Sequence, residues 1–132
     1  AMGARSEVLY VCAPTPLQYG VATGICHLPR SFYFELAQDH QRKRQRFCAA
    51  LEKAGLTPCV PQGAYYVLAD VSRLPGNTGR ERAMYLLEKT GVAGVPGEAF
   101  FNGERGSGFM RFCFAKTDND LEQASRQIET LS

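Results

Sequence analysis

The chain has 132 residues and a mass of 14.5 kDa, enough for one hydrophobic core and too little for two catalytic domains. Hydrophobic residues make up 45% and charged residues 21%, the balance of an ordinary globular protein, which argues against intrinsic disorder. Fifteen basic against thirteen acidic side chains leave a formal charge of +2, too small for the broad basic face that nucleic acid or an anionic membrane recruits.

Five cysteines, at 12, 26, 48, 59 and 113, form an odd set without CxxC spacing, and Cys26 and Cys48 fall in helical patterns. That usage predicts reduced, mostly buried thiols in a cytoplasmic protein and not a secreted disulfide framework. His27 and His40 belong to no HExxH and no paired Cys/His cluster, so no metal site is expected. The longest apolar run, Val8 to Ala13, is far below the ~18 residues that span a bilayer, and no membrane segment is expected. Residues 1–7 carry no h-region of a signal peptide and read as a cloning remnant or linker, with the fold beginning at residue 8.

In chain order, Pro14-Thr15-Pro16 leads into a short helix over Leu17 to His27, interrupted by Pro29. Ser31 then fits as the cap of a longer helix from Phe32 to about Ala54, closed by Gly55. Its polar middle carries Arg42-Lys43-Arg44 and Arg46, but acids share the helix and no aromatics interleave, so this is a solvated face and not a nucleic-acid site. His40, on the same helix, receives no chemistry. Thr57 to Val60 and Ala64 to Val71 read as adjacent strands around a Pro61-Gln62-Gly63 turn.

Thr78-Gly79-Arg80-Glu81 matches a capping box opening a helix to Thr90, with Gly91 as its stop. Val92 to Val95 is expected to be a strand. A glycine-rich loop, Asn102 to Gly108, precedes a strand over Phe109 to Ala115; it has no phosphate-loop spacing and precedes no helix, so it is read as a mobile connection. Thr117 caps a final helix whose Leu121, Ala124, Ile128 and Leu131 keep one buried stripe. The order of elements predicts an α+β fold, a small mixed β-sheet covered by helices, with no internal domain boundary.

Alternation along the last strand puts Met110, Phe112 and Phe114 on the core face and Phe109, Arg111, Cys113 and Ala115 on the other. A guanidinium there stays charged, and its planar fork suits a carboxylate. From the strand alone, two readings of Arg111 stand: a salt bridge to one of the chain's own acids, or a grip on a ligand's carboxylate. Asp70 with Ser72, and Glu98 beside Pro96-Gly97, offer a hydroxyl and isolated carboxylates without a base, so no catalytic triad can be assembled.

Four segments taken in order carry a resemblance: Pro14-Thr15-Pro16-Leu17-Gln18; Pro61-Gln62-Gly63-Ala64-Tyr65-Tyr66-Val67-Leu68-Ala69-Asp70; Gly91-Val92-Ala93-Gly94-Val95-Pro96-Gly97-Glu98-Ala99-Phe100; and Arg111-Phe112-Cys113-Phe114-Ala115-Lys116. Together they resemble the C-terminal small domain of class I/II, fold-type I aminotransferases that use pyridoxal phosphate. The resemblance covers residues 8–132 and implies that Arg111 holds the substrate's α-carboxylate. It implies a parent enzyme that moves an amino group between an α-amino acid and a 2-oxo acid, and a homodimer. The family's cofactor lysine lies upstream in an S-x-S-K-type loop of a large domain; this sequence has no such motif, and its lysines at 43, 53, 89 and 116 stand in other contexts. The resemblance thus implies that this chain alone supplies no catalytic residue, binds no cofactor and is inactive. A C-S lyase using the same arginine, or a stand-alone non-catalytic binding module, are the alternative readings.

Overall fold

The computed structural model describes residues 13–101 and 106–131, so residues 1–7, Cys12 and part of the glycine-rich loop lie outside the described residues. By its internal contacts the chain divides into two compact units, Ala1–Leu36 and Ala37–Ser132, a division that no shift in composition marks.

In the first unit, helix α1 (Thr15–His27) is entered from Pro14 with a second proline in its first turn, where the missing amide would have no partner. It ends at Leu28, whose extended backbone still donates its N–H to the Gly24 carbonyl at 3.0 Å. Helix α2 (Arg30–Lys53) starts immediately after Pro29, two residues earlier than the Ser31 cap predicted, with the Phe32 N–H bonded to the Pro29 carbonyl at 3.1 Å. Proline 29 supplies the first acceptor, so no side-chain cap is needed. The helix continues into the second unit and closes at Gly55, whose φ of 72° is a conformation that costs glycine little.

The second unit holds strands β1 (Thr57–Cys59) and β2 (Tyr66–Asp70), helix α3 (Gly79–Thr90), strand β3 (Val95–Pro96), a single 3₁₀ turn over Gly97–Ala99, strand β4 (Phe109–Cys113) and helix α4 (Asp118–Glu129). The strands line up as β1-β2-β4-β3, and every neighbouring pair is antiparallel. The α+β class is as expected, but the expectation of a mixed sheet is corrected. Helix α3 does link two strands pointing the same way, β2 and β3. They are not neighbours, because β4 inserts between them antiparallel to both. The expected strand over Val92 to Val95 shrinks to Val95–Pro96, with Val92 buried instead in the core.

One face of the sheet forms the core. Val67 and Ala69 from β2 and Met110 and Phe112 from β4 are buried together with Leu51, Leu56, Leu86, Leu121 and Ile128. Phe47 of α2 meets Phe112 edge to face at 5.8 Å between ring centroids, a favourable aromatic geometry. Helix α3 opens as predicted at Thr78, whose Oγ1 accepts the Glu81 N–H at 3.1 Å. The Glu81 carboxylate, however, accepts from the Asn77 N–H at 2.7 Å and not from Thr78 itself. Glu98 completes this helix start from the far side by accepting the Gly79 N–H at 2.7 Å, which satisfies one of the amides that a helix leaves open.

The basic run of α2 is more engaged than a solvated face. Arg42 and Lys43 pair with Asp39, Arg42 also reaches Asp118 at 3.1 Å, and Arg46 reaches Glu122 at 3.3 Å. Arg44 donates to the Pro61 carbonyl at 2.7 Å. These charges tie α2 to α4 and to the turn before β2, which is why an element so rich in arginine offers no coherent basic patch.

Candidate functional site

The face of the sheet opposite the core carries the side chains that alternate with the buried ones. On β4 these are Phe109, Arg111 and Cys113, all half-buried, while Met110 and Phe112 between them are buried, as the alternation predicted. Register sets the neighbours of Arg111. Leu68 of β2 lies directly opposite on one side and Val95 of β3 on the other, and Tyr66, two residues before Leu68, sits diagonally. A diagonal pair lies roughly 7 to 8 Å apart at the backbone, within reach of an arginine and an aromatic ring.

The guanidinium closes that distance. Its Cζ lies over the ring of Tyr66 at 4.1 Å from the centroid and over the ring of Phe100 at 4.2 Å. Both are cation–π contacts, in which the negative ring faces attract the delocalised charge. Among the described residues no carboxylate forms an ion pair with Arg111. The internal salt bridge, one of the two readings left open by the strand, therefore has no acid among those residues. What remains is a charged fork on an apolar face, held by aromatic rings, with no hydrogen bond from its donors to another described residue.

Tyr66 and Phe100 were not singled out for Arg111 from the sequence, although each stands inside a segment that carried the family resemblance. Phe100 arrives through the 3₁₀ turn. The N–H groups of Phe100 and Phe101 both donate to the Gly97 carbonyl, at 2.8 and 3.1 Å, and the Phe101 ring lies 6.4 Å from that of Phe109 on β4. Gly97 is buried, and a side-chain carbon there would collide with the Gly106 carbonyl and come within 2.9 Å of that of Phe109. The turn can lie this close to β4 only because residue 97 has no Cβ. The Tyr66 ring lies tilted against that of Tyr65 at 4.3 Å between centroids, and hydrogen bonding with that neighbour holds its phenol above the usual range, with Arg111 pulling the other way.

The other candidates have structural partners. Asp70 accepts the Ser72 N–H at 2.8 Å in a tight Asx turn, and Ser72, through its side chain first and its amide second, holds the carboxyl below the usual range. Glu98 caps α3. Cys26, Cys48, Cys59 and Cys113 are free thiols, as expected, but only Cys48 is buried, and that burial pushes its thiol up. Cys26 and Cys59 are exposed because α1 buries nothing and β1 is an edge strand. The described residues contain no cluster able to hold a metal ion, and no described helix is long and apolar enough to cross a membrane.

The face around Arg111 does not by itself fit pyridoxal phosphate. The side chains against the guanidinium are aromatic, and none of the four lysines is among them. Lys43 pairs with Asp39 at 2.7 Å and Lys53 with Glu129 at 3.3 Å, while Lys89 and Lys116 are exposed. A guanidinium matches a carboxylate or a single phosphate, but the cofactor's aldehyde has no lysine beside it here.

Comparison with known proteins gives a consistent result. The family model described as aminotransferase class I and II matches residues 1–128. Human kynurenine–oxoglutarate transaminase 3 is 30% identical, the match covering 97% of this chain and 32% of that protein. Among solved structures, N-succinyldiaminopimelate aminotransferase from Mycobacterium tuberculosis superposes with a TM-score of 0.83 at 28% identity, over 98% of this chain and 34% of that one. An Escherichia coli protein identified as a methionine aminotransferase, YbdL, gives 0.79 at 27% identity, over 95% of this chain and 32% of its own. The chain spans about a third of the length of the curated relatives it matches.

Proposed function

Because the chain belongs to the class I and II aminotransferases, we propose that it forms the arginine-bearing portion of an enzyme that moves an amino group between an α-amino acid and a 2-oxo acid. The observation that carries this reading is the state of Arg111: a guanidinium on an open sheet face, braced by Tyr66 and Phe100 and with no ion-pair partner among the described residues. Amino-acid and oxo-acid substrates differ at the α-carbon but share the carboxylate beside it. One fixed, two-pronged cation can therefore orient both halves of the reaction, through charge-assisted hydrogen bonds that a point charge would not align. Leu68 and Val95 flank the arginine in register and supply an apolar surround in which that contact is stronger than in water.

Pyridoxal phosphate supplies the electron sink when it is bound in the whole enzyme. Its lysine and its phosphate contacts belong, on this reading, to a large domain outside these 132 residues, and the chain alone is inactive and binds no cofactor. The parent is a homodimer. The relatives named above act on chemically different amino acids, so this portion binds the shared carboxylate and leaves side-chain preference to the rest of the enzyme. A cytoplasmic location is our inference from cysteine usage in the sequence.

Substitution in the whole enzyme tests the reading. Arg111→Ala is expected to cost about 2 to 5 kcal/mol of transition-state binding, or roughly 30-fold to several thousandfold in kcat/KM, with Arg111→Lys recovering only part. The loss should be much smaller for amines that lack the carboxylate. An alanine variant that unfolds readily while its folded fraction keeps a normal kcat/KM would make the arginine a structural element instead.

A further inference from the structure

We infer that Tyr66 and Phe100 are positioning residues for Arg111, holding its guanidinium in a ligand-ready orientation so that a carboxylate meets the edge of the fork and not its face. The inference rests on the reading of Arg111 as the carboxylate holder and adds two residues that act through it.

An arginine side chain is rich in rotamers, and a free one on a sheet face must surrender much of that freedom when a ligand binds. Here two ring faces at 4.1 and 4.2 Å from Cζ have already restricted it. Burial of the rings themselves does not explain the arrangement. Phe100 remains 46% exposed and Tyr66 is only half-buried, so neither ring is there to fill the core. Each instead gives up part of its surface to a cation.

The geometry has a chemical consequence. A guanidinium that lies flat on aromatic rings keeps its in-plane N–H groups for oxygen acceptors, so rings holding Cζ in this way leave the donors free. A ligand then finds a planar, preset fork, which matches the two oxygens of a carboxylate. The two rings also come from independent elements. Tyr66 is fixed by strand register, and Phe100 by the turn that Gly97 allows to pack against β4, with the contact of Phe101 and Phe109 anchoring that turn. Fixing a side chain in its bound orientation from two rigid sources reduces the ordering cost of binding.

The chain itself can be tested with ¹⁵N-labelled arginine, with the Arg111 Nε–H signal identified by its loss in Arg111→Lys. In the unsubstituted chain the Arg111 Nε–H should be nearly as ordered in spin relaxation as the strand backbone, and added sodium propionate should shift it where propionamide does not. Tyr66→Leu and Phe100→Leu should each lower that order and weaken propionate binding roughly two- to fivefold, the range expected for one exposed cation–π contact. Tyr66→Phe, which keeps the ring, should retain both. Both positions are partly exposed, and the backbone amide spectrum reports whether each variant is folded. Leucine variants with unchanged order and unchanged propionate affinity would overturn the positioning role and leave the carboxylate reading of Arg111 intact. A Tyr66→Phe variant as impaired as Tyr66→Leu would overturn it as well, by assigning the effect to the hydroxyl. An unsubstituted chain whose Arg111 is ordered but ignores propionate would defeat the carboxylate reading itself.

Discussion

Helices α1 and α4 are nearly equal in length, 13 and 12 residues, and their apolar residues meet opposite fates. Helix α4 has few, and they are concentrated: Leu121 and Ile128 are buried against the sheet and Ala124 is partly buried, while charged residues take the other faces. Helix α1 has more, and buries none; Leu17 is 65% and Ile25 69% exposed. The difference teaches that apolar content states only what a helix can bury, and that a sheet face of matching period decides what it does bury. The clean stripe of α4 is the imprint of a partner on its sequence. The mixed surface of α1 carries no such imprint.

The sharpest way to break this comparison is to remove the same atoms from both helices. Ile128→Ala deletes methylene and methyl groups from a fully buried site, and the unfolding free energy should fall by about 2 to 5 kcal/mol. Ile25→Ala deletes the same groups from an exposed site and should change stability by no more than about 0.5 kcal/mol, since the unfolded chain exposes them equally. Urea denaturation followed by circular dichroism measures both. Similar losses in the two variants would mean that α1 owes its stability to burial after all.

The packed region should also resist added atoms. Gly94 approaches the core so closely that a Cβ there would collide with the Met110 side chain and come within 2.9 Å of Phe112 Cε1. Methionine can give way, but the Phe112 ring is buried and backed by Phe47. Gly94→Ala should therefore destabilise by about 1 to 3 kcal/mol, the usual cost of overpacking. In α1 the corresponding change, Gly20→Ala, meets nothing within 4 Å and should if anything stabilise the helix, by up to about 1 kcal/mol. Thermal unfolding of the two variants in opposite directions is the expected result.

What was legible in the sequence follows the same division. Local signals were readable because their physics is local: Thr78 and Gly91 bracket α3, the second with a φ of 71°, and Thr117 opens α4 by accepting the Asp120 N–H at 3.2 Å. The alternation of β4 placed Arg111 on the open face. Pairing across long stretches of chain left no such trace. Nothing in the sequence of β3 announces that β4 will separate it from β2, and its two residues are too few for a period. Glu98 as a cap for α3, and Phe100 as a brace for Arg111, depend on where a turn lands in space. The acids of α4 that pair with the basic residues of α2 did leave a signal: Asp118 and Glu122, which meet the basic run, and Glu129, which meets Lys53, share one side of that helix. The helical cap itself should be worth less than the core: Thr78→Ala removes one hydrogen bond to a helix start that Glu98 still supports, and should cost about 1 kcal/mol.

A further small effect concerns backbone strain, which only a packed region can maintain. Every described residue with a positive φ lies in the second unit, and one of them is not glycine: Ala64, at 61°. For a residue with a Cβ this conformation costs about 1 to 2 kcal/mol, and the rest of the fold must hold it there. Ala64 ends the Pro61-Gln62-Gly63 turn and leads directly into Tyr65 and Tyr66, so its twist directs β2 as it enters the sheet beside β4. Ala64→Gly relieves the strain but gives the unfolded chain extra freedom, a loss of about 0.4 to 1 kcal/mol. The two terms leave a net stabilisation of about 0 to 1.6 kcal/mol, readable as a rise in the urea midpoint at unchanged slope. The order of the Arg111 Nε–H should stay the same, because strand register and not the turn fixes Tyr66 beside it. If stability rises while that order falls, the strain at Ala64 is part of what aims Tyr66 at the arginine, and the boundary between packing that stabilises and packing that positions runs through this turn.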